Sequence, residues 1–183
     1  TGLGRAFRAA LKAPKGASHL EDFTAYLPSY EAPASFIAAP IYDGDERIGV
    51  IAFQMPVAEI NGLMAQRAGL GKSGETYLVG DDGLMRSQSR FTEENTLLAR
   101  KVETASVGAA LAGKSGEARV ADYRGVPVLS SYAPLDIEGV KWALLAEIDE
   151  SEALGLVAVQ KREAGLIAGV AALIIVAFAL WLA

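Results

Sequence analysis

The pattern of apolar and polar positions divides the chain into two sheet-forming regions and a long apolar stretch at its end. In the first region, short apolar runs bounded by Gly, Pro and Asp predict strands, and apolar residues at helical spacing predict helices. The two strands around a turn at 43–46 are expected to form a β-hairpin. The predicted elements are helices at 3–11 and 57–68, strands at 19–23, 34–41 and 47–55, and a loop at 24–33.

The second region follows a glycine-rich joint at 69–74 and contains the same kinds of element. A strand order of ββ-α-βββ is the topology of a PAS-like antiparallel sheet with helices packed on one face. The pattern therefore predicts an α+β fold built from PAS-like antiparallel sheets. The predicted strands of this region lie at 75–79, 84–87, 117–123, 126–133 and 141–148, with helix and loop at 91–112.

The last stretch of the chain predicts a membrane helix. A strand at 142–149 leads into Asp-Glu-Ser-Glu at 149–152, whose Asp-x-x-Glu form is that of a capping box and predicts a helix that starts near Asp149. From 164 to 183 this helix carries no charge, and 20 residues span about 30 Å, the hydrocarbon thickness of a bilayer. The alternative is a buried helix of a large soluble domain, but a small domain rarely surrounds a helix that is apolar on every face. We therefore predict one transmembrane helix, with Trp181 near the bilayer interface.

Two parts of the sheet-forming regions match each other at a constant offset of 94 residues. Ala-Pro-Ile at 39–41 matches Ala-Pro-Leu at 133–135, and Ile-Gly-Val-Ile-Ala at 48–52 matches Trp-Ala-Leu-Leu-Ala at 142–146. The same order of elements around both matches favours an internal duplication. Because the first copy lacks an opening hairpin and the chain begins at Thr1, we expect the sequence to be a fragment of a longer protein.

Composition excludes several classes of function. The 183 residues carry a net charge of −5 and contain no basic run, which argues against a nucleic-acid partner. Cysteine is absent and His19 is the only histidine, so the chain offers neither disulfides nor the usual ligands of a zinc site, and no Ser-His-Asp pattern. The carboxylates fall at turns and helix starts, where they serve structure. We therefore predict no catalytic residue, no metal and no cofactor in this chain.

The segment 108–115 has the form G-x-x-x-x-G-K-S of a phosphate-binding loop. Such a loop must leave a strand and open a helix, so that its backbone N–H groups surround the phosphates. Here the helix-forming Ala-Ala-Leu-Ala precedes Gly-Lys-Ser and a predicted strand follows it, which is the reverse order. We interpret this segment, and the related stretch at 69–73, as turns that enter strands.

The remaining candidate chemistry is a polar cluster at the end of the predicted strand 84–87. Continued strand alternation would place the side chains of Arg86, Gln88 and Arg90 on one side. Guanidinium groups bind carboxylates through paired hydrogen bonds, and tyrosines supply apolar walls with a polar tip. The alternative is that the arginines are solvated or pair with Glu93 or Glu94, and that the tyrosines belong to the core. The predicted ligand-binding residues are Tyr77, Arg86, Ser87, Gln88, Arg90, Tyr123 and Tyr132 in the second region, and Asp22, Tyr26 and Tyr30 in the first.

The apolar stretch also contains small residues at helical spacing. Gly165, Gly169 and Ala172 lie on one face of the predicted membrane helix. Small residues allow two membrane helices to approach closely, as in G-x-x-x-G dimers. We therefore expect a homodimer that packs through this helix.

Several of these segments together resemble a known family. The stretch 74–90, Gly-Glu-Thr-Tyr-Leu-Val-Gly-Asp-Asp-Gly-Leu-Met-Arg-Ser-Gln-Ser-Arg, is similar to the start of the membrane-proximal half of double Cache sensor domains, which occur in bacterial chemoreceptors, sensor kinases and membrane cyclases. Residues 122–128, 132–135 and 142–149 extend this likeness, and residues 22–23 and 34–56 resemble the second half of the membrane-distal unit. The resemblance implies a partial distal unit at 1–56, a connecting segment at 57–73, a proximal unit at 74–149, and a signalling and transmembrane helix at 150–183.

In such receptors the Cache module lies outside the cytoplasm and binds a small molecule. The resemblance therefore implies a protein of the bacterial inner membrane whose folded part is periplasmic and senses a small polar or anionic metabolite. The alternative is a membrane-anchored accessory subunit that uses a Cache-like fold to dock on a membrane protein complex. We expect no enzymatic activity from this chain itself.

Overall fold

The computed structural model of the protein describes residues 1–155 and 167–171. Residues 150–155, which directly follow the last strand, are helical and are called the terminal helix below. Residues 167–171 are also helical. The preceding elements are α1 (Gly2–Ala10), β1 (His19–Tyr26), a 3-10 helix (Leu27–Ser29), β2 (Ala32–Asp43), β3 (Glu46–Gln54), α2 (Val57–Met64), β4 (Glu75–Gly80), α3 (Ala105–Leu111), β5 (Gly116–Ala121), β6 (Pro127–Ile137) and β7 (Val140–Asp149).

Strands β1, β2 and β3 form the first sheet, which is antiparallel in the order β1-β2-β3. Helix α1 lies on one face of this sheet. Its residues Ala6 and Ala10 are fully buried against Ala34, Phe36 and Ala38 of β2. Alanine on both surfaces lets the helix approach the sheet closely, so a short helix is enough to cover this face.

Strands β4 to β7 form the second sheet, also antiparallel, in the order β4-β7-β6-β5. Strand β7 lies in its interior, between β4 and β6, and α3 packs on one face. The predicted α+β fold with PAS-like antiparallel sheets is confirmed to this extent. The buried core of the second sheet consists of Tyr77, Val79, Met85, Val102, Val107, Ala110, Ala143 and Leu145.

A third apolar cluster joins the two sheets. It consists of Phe23 from β1, Leu78 from β4 and Trp142 from β7, and residues of α2 pack around it. The rings of Phe23 and Trp142 are stacked, with centroids 6.1 Å apart. Because this cluster buries aromatic surface from both sheets, it holds them against one another.

The sequence prediction of a strand at 84–87 is wrong, because this segment forms only isolated bridges. Its backbone is divided between two partners: Arg86 N donates to Leu78 O at 2.7 Å, whereas Met85 N donates to Arg100 O at 2.9 Å. The order of elements in the second sheet is therefore β-α-βββ.

The predicted loop at 24–33 is also partly wrong. Strand β1 continues to Tyr26, and β2 already begins at Ala32, which pairs with Tyr26. Pro33 is tolerated in β2 because β3 pairs with β2 only from Phe36 onward, so the backbone of Pro33 needs no partner on that side.

The two sheets repeat one arrangement, in which α1-β1-β2-β3 corresponds to α3-β5-β6-β7. Near the hairpin turns, Tyr42 pairs with Arg47 and Asp136 pairs with Lys141, which agrees with the offset of 94 residues. An irregularity between Ile41 and Tyr42 then shifts the register of the first hairpin by one residue. The gap-free alignment of 48–52 with 142–146 is therefore wrong by one position beyond this point.

The predicted membrane segment at 164–183 falls mostly outside the described residues. Within residues 1–155 and 167–171, no helix is both long enough and apolar enough to cross a bilayer. Of the three small residues predicted to pack two such helices, only Gly169 is described, and it lies in an exposed helical stretch. Gly165 and Ala172 lie outside the described residues.

The capping box predicted for 149–152 does not form, because Asp149 and Glu152 bond residues of the joint at 69–74. Glu152 does not bond back to residue 149; its carboxylate accepts hydrogen bonds from the backbone N–H groups of Lys72 and Ser73, at 2.8 and 2.7 Å. The N–H of Asp149 donates instead to Ser73 Oγ, at 3.1 Å. The start of the terminal helix is thus capped by the joint between the two sheets rather than by its own residues.

Candidate functional site

Arg86 lies at the contact between the two sheets, where its side chain is only 2% exposed. Its Nε and Nη2 donate to the carboxylate of Asp22 in β1, at 3.0 and 2.9 Å, and its Nη1 and Nη2 donate to Asp82, both at 3.0 Å. Trp142 Nε1 donates to the same Asp22 carboxylate, at 3.0 Å. Arg86, Asp22, Asp82 and Trp142 are called the inter-sheet clamp below.

The geometry of the clamp leaves little freedom. Burial alone would lower the pKa of Arg86, but the hydrogen bonds to Asp22 and Asp82 outweigh burial and raise it. A Cβ at position 80 would lie 2.2 Å from Arg86 Nη2, so a side chain there would displace the guanidinium from its partners. Every N–H of the guanidinium has an acceptor, the last one being Leu84 O at 2.8 Å. Arg86 therefore joins the sheets and has no donor left for a ligand.

A second polar cluster is buried in the second sheet and is centred on Glu75, which is only 4% exposed. Its carboxylate accepts hydrogen bonds from Ser89 Oγ at 2.7 Å, from Tyr123 OH at 2.6 Å and from Arg90 N at 2.8 Å. Burial and the neighbouring Glu75 raise the pKa of Tyr123, so that its hydroxyl stays protonated. We call Glu75, Ser89, Arg90 and Tyr123 the Glu75 network.

A buried tyrosine and carboxylate pair lies beside this network. Tyr77 OH donates to Glu147 Oε2 at 2.9 Å, and the ring of Tyr77 meets that of Tyr123 edge to face, with centroids 5.4 Å apart. Glu147 is 4% exposed, and burial raises its pKa. Its second oxygen, Oε1, has no hydrogen-bond partner among the described residues. This carboxyl therefore takes up its proton at a higher pH than an exposed glutamate does.

A small cavity of about 150 Å³ opens above the Glu75 network. Phe91 forms one wall, with the guanidinium of Arg124 3.9 Å from its ring centroid and that of Arg90 4.8 Å away. Arg124 donates to Asp122 at 2.6 Å and to Asp149 at 2.7 Å. This cavity, called the Arg100 pocket below, is lined by Ser89, Phe91, Thr92, Arg100, Tyr123 and Arg124.

The residues predicted to bind a ligand do not converge on one site. Arg86 and Asp22 belong to the inter-sheet clamp, Tyr77 is fully buried in the core, and Tyr123 lines the Arg100 pocket. Tyr30 is 97% exposed. The alternation assumed for 86, 88 and 90 does not hold, because this segment is not a strand.

The remaining predicted residues have structural partners. Ser87 Oγ accepts from Leu78 N at 3.1 Å. Gln88 binds the backbone of its own loop through both ends of its amide, for example accepting from Thr96 N and donating to Glu94 O. Arg90 donates to the carbonyls of Gly74 and Lys72. Tyr132 packs at the margin of the core of the second sheet, and Tyr26 packs edge to face on Phe36.

Sequence reasoning missed Glu75, Phe91, Arg100 and Arg124, and it predicted Glu152 as a cap of its own helix rather than as a partner of the joint. Strand alternation puts Glu75 on the same face of β4 as Tyr77, so the sequence could have indicated that a carboxylate at the start of this strand points inward. The other four lie in loops or at a helix start, where periodicity carries no information.

No protein-family model matches the chain, and no curated protein matches it. Several solved structures are similar to the chain. The periplasmic sensory domain of the chemoreceptor Tlp1 of Campylobacter jejuni is 18% identical, with a TM-score of 0.58, over 77% of this chain and 53% of that domain.

Two further likenesses are to domains solved with amino acids. The ligand-binding domain of the amino-acid chemoreceptor PctB of Pseudomonas aeruginosa, in complex with L-Arg, is 18% identical, with a TM-score of 0.54, over 81% of this chain and 60% of that one. The domain of CtaA of Pseudomonas fluorescens, in complex with L-serine, is 14% identical, with a TM-score of 0.53, over 80% of this chain and 60% of that one. This chain thus spans a little over half the length of each of these domains. The described residues have the Cache-type, PAS-like fold of the periplasmic sensory domains of bacterial chemoreceptors.

Proposed function

We propose that this chain is part of an extracytoplasmic sensing module that binds a small polar or anionic metabolite and passes the effect to a membrane helix at 164–183. The fold it shares with amino-acid-binding chemoreceptor domains supports this function. So does the acidic, cysteine-free composition, which offers no catalytic or metal-binding set.

The observation that carries the proposal is the course of β7. Near one end of this strand, Trp142 belongs to the inter-sheet clamp, and at the other end Asp149 enters the terminal helix. The strand is paired on both sides over most of its length, by β4 and β6. A strand held in this way moves as part of a rigid sheet, so a change at the clamp is expected to reach the terminal helix without being absorbed in between.

A ligand acts on such a system only through different affinities for two arrangements of the helix. We propose a homodimer in the bacterial inner membrane, packed through Gly165, Gly169 and Ala172, in which two membrane helices shift relative to one another. The folded part would lie in the periplasm. In this scheme the chain binds and transmits and performs no reaction of its own.

The test is a thermal-shift screen of the full chain against amino acids, organic acids and amines. Because a ligand that binds only the folded state stabilises it, at least one compound is expected to raise the melting temperature by an amount that grows with its concentration. If no compound of these classes raises it, the sensing function is rejected for this chain.

A second candidate function is that of a membrane-anchored accessory subunit that docks through its Cache-like fold. It is favoured by β3, an edge strand of the first sheet whose Ile48 and Phe53 are 63% and 61% exposed. An exposed apolar edge strand is a ready site for a further strand or another protein. A negative ligand screen would favour this function over sensing.

A further inference from the structure

The Arg100 pocket combines two kinds of polar group at a size that suits a small metabolite. Its volume of about 150 Å³ leaves room for a small acid such as alanine or lactate. One inner wall carries the hydroxyls of Ser89 and Tyr123, which lie 2.7 Å apart. The wider hollow on β5 to β7 is more open, and its arginine, Arg119, is already paired with Glu150.

The cations around the pocket differ in what they already bind. Arg124 is engaged by Asp122 and Asp149, and the terminal nitrogens of Arg90 are engaged by backbone carbonyls. Arg100 is exposed and makes no ion pair with any residue in 1–155 or 167–171. Arg100 is therefore the residue that can bind a carboxylate by donating two parallel hydrogen bonds to it.

The hydroxyl of Tyr123 sets a second requirement. Its hydrogen is used by Glu75, so its oxygen is left as an acceptor for a donor group of the ligand. Glu75 itself is saturated by three hydrogen bonds and lies behind this hydroxyl, which reduces its repulsion of an anion. A carboxylate next to a hydroxyl or ammonium group meets both requirements.

Arg124 connects the pocket to the start of the terminal helix. Arg124 lines the pocket and bonds Asp149, the last residue of β7, and the N–H of Asp149 bonds Ser73 Oγ. A ligand carboxylate at Arg100 lies in the same small pocket as Arg124 and would compete with Asp149 for the Arg124 guanidinium. Occupation of the pocket is thus expected to loosen the contact that fixes the start of the terminal helix.

We propose that the Arg100 pocket binds a small 2-hydroxy or 2-amino acid, whose carboxylate pairs with Arg100 and whose hydroxyl or ammonium donates to Tyr123. This inference rests on the proposed sensing function and assigns it a site, a ligand class and a route to the helix through Arg124 and Asp149.

The experiment titrates the full chain with sodium L-lactate, L-alanine and L-serine at constant ionic strength and follows its melting temperature and binding heat. At least one of these probes is expected to bind the unmodified chain. Arg100→Ala should weaken that binding by about tenfold or more, since a charged hydrogen bond is lost. Arg67→Ala, a change of another exposed arginine remote in sequence, should leave it unchanged. Both variants should melt like the parent chain without ligand, because exposed substitutions of this kind have small effects on stability.

The outcomes separate this inference from the function on which it rests. If a probe binds the parent chain, Arg100→Ala and Arg67→Ala equally well, the ligand lies elsewhere, so the pocket is rejected and the sensing function stands. The same holds if only compounds outside this class bind. If neither the probes nor any compound of the wider screen binds, both proposals are rejected.

Discussion

The two sheets of this protein share a helix followed by three antiparallel strands, yet they differ at one edge. In the second sheet β4 pairs with the free side of β7, whereas no described strand lies beside β3 in the first. Equivalent positions show what this changes. Gln54 of β3, opposite Phe36, is exposed, and its counterpart Glu147 of β7, opposite Ser130, is buried and bonded by Tyr77 of β4.

The added strand therefore converts a solvated position into a buried polar one. The first sheet is stabilised by close apolar packing of α1 on alanines of β2, and the second also buries charged groups, including Glu75 and Glu147. A buried charge costs stability unless it is well paired. These groups lie in the sheet that leads into the terminal helix.

The largest expected effect comes from separating the two sheets. Arg86→Met removes the guanidinium but keeps an apolar stem, and leaves Asp22 and Asp82 without their partner. Loss of one member of a buried ion pair costs about 3 kcal/mol or more, and we expect the lower end because Asp82 reaches water. Urea unfolding followed by circular dichroism measures it, and a split into two transitions is expected as the sheets uncouple.

The control is Arg5→Ala, which breaks the pair between the partly exposed Arg5 of α1 and Glu21 of β1 and does not touch the second sheet. A surface pair of this kind contributes about 0–1 kcal/mol, and unfolding should remain a single transition. If Arg86→Met costs no more than Arg5→Ala, the inter-sheet clamp does not couple the sheets, and the proposed route through β7 loses its first step.

A smaller effect on stability is expected from replacing Glu147 by glutamine, the neutral residue that stands at the equivalent position 54 of the first sheet. Burial raises the pKa of Glu147 above its ordinary value of 4.5. Below that value the carboxyl is protonated in both the folded and the unfolded chain, so it has no cost. As the pH rises from the unfolded pKa to the folded one, the unfolded chain ionises first and stability is lost. The loss is about 1.4 kcal/mol for every pH unit that separates the two pKa values.

Glu147→Gln cannot ionise and is therefore expected to melt at a higher temperature than the parent chain near neutral pH, with the difference shrinking below pH 4.5. Melting curves of both proteins across this range give the answer. A difference that does not depend on pH would show that packing, and not the charge, distinguishes Glu147 from Gln54.

The sequence predicts well the elements that depend on neighbouring residues, and predicts poorly the contacts between residues far apart in the chain. Apolar runs and a Gly-Asp turn predicted the hairpin of β2 and β3 and the strands β4, β6 and β7, because alternation and turn chemistry depend on neighbouring residues. The prediction of a strand at 84–87 is wrong because the backbone of this segment bonds Leu78 and Arg100, and the side chain of Arg86 bonds Asp22 of the other sheet.

Long-range pairs explain most of the misses at the candidate site. Arg86 meets Asp22 across 64 residues, and Tyr123 meets Glu75 across 48. Such pairs depend on how one sheet packs on the other and on the register of distant strands. The tyrosines and arginines were recognised as unusual in type, but the sequence could not show that one arginine joins two sheets and that another lines a pocket.

The smallest expected effect concerns the joint between the sheets, where Ser73 serves both the strand end and the terminal helix. Its hydroxyl accepts from Asp149 N and donates to Glu152, while its backbone N–H donates to the same carboxylate. Ser73→Ala leaves Asp149 N without this acceptor, at a cost of about 1 kcal/mol. Ser151→Ala, an exposed serine in the first turn of the helix, is the matched control.

Global stability alone does not test the comparison, because a loss of this size is expected of any broken hydrogen bond. The informative quantity is hydrogen exchange at the start of the terminal helix compared with that in β3. If the joint caps the helix, Ser73→Ala should speed exchange at 150–155 and leave β3 unchanged. Faster exchange in both places would mean that the joint stabilises the whole fold. No change in either would mean that the helix start is held by Arg119, which pairs with Glu150, and by Arg124.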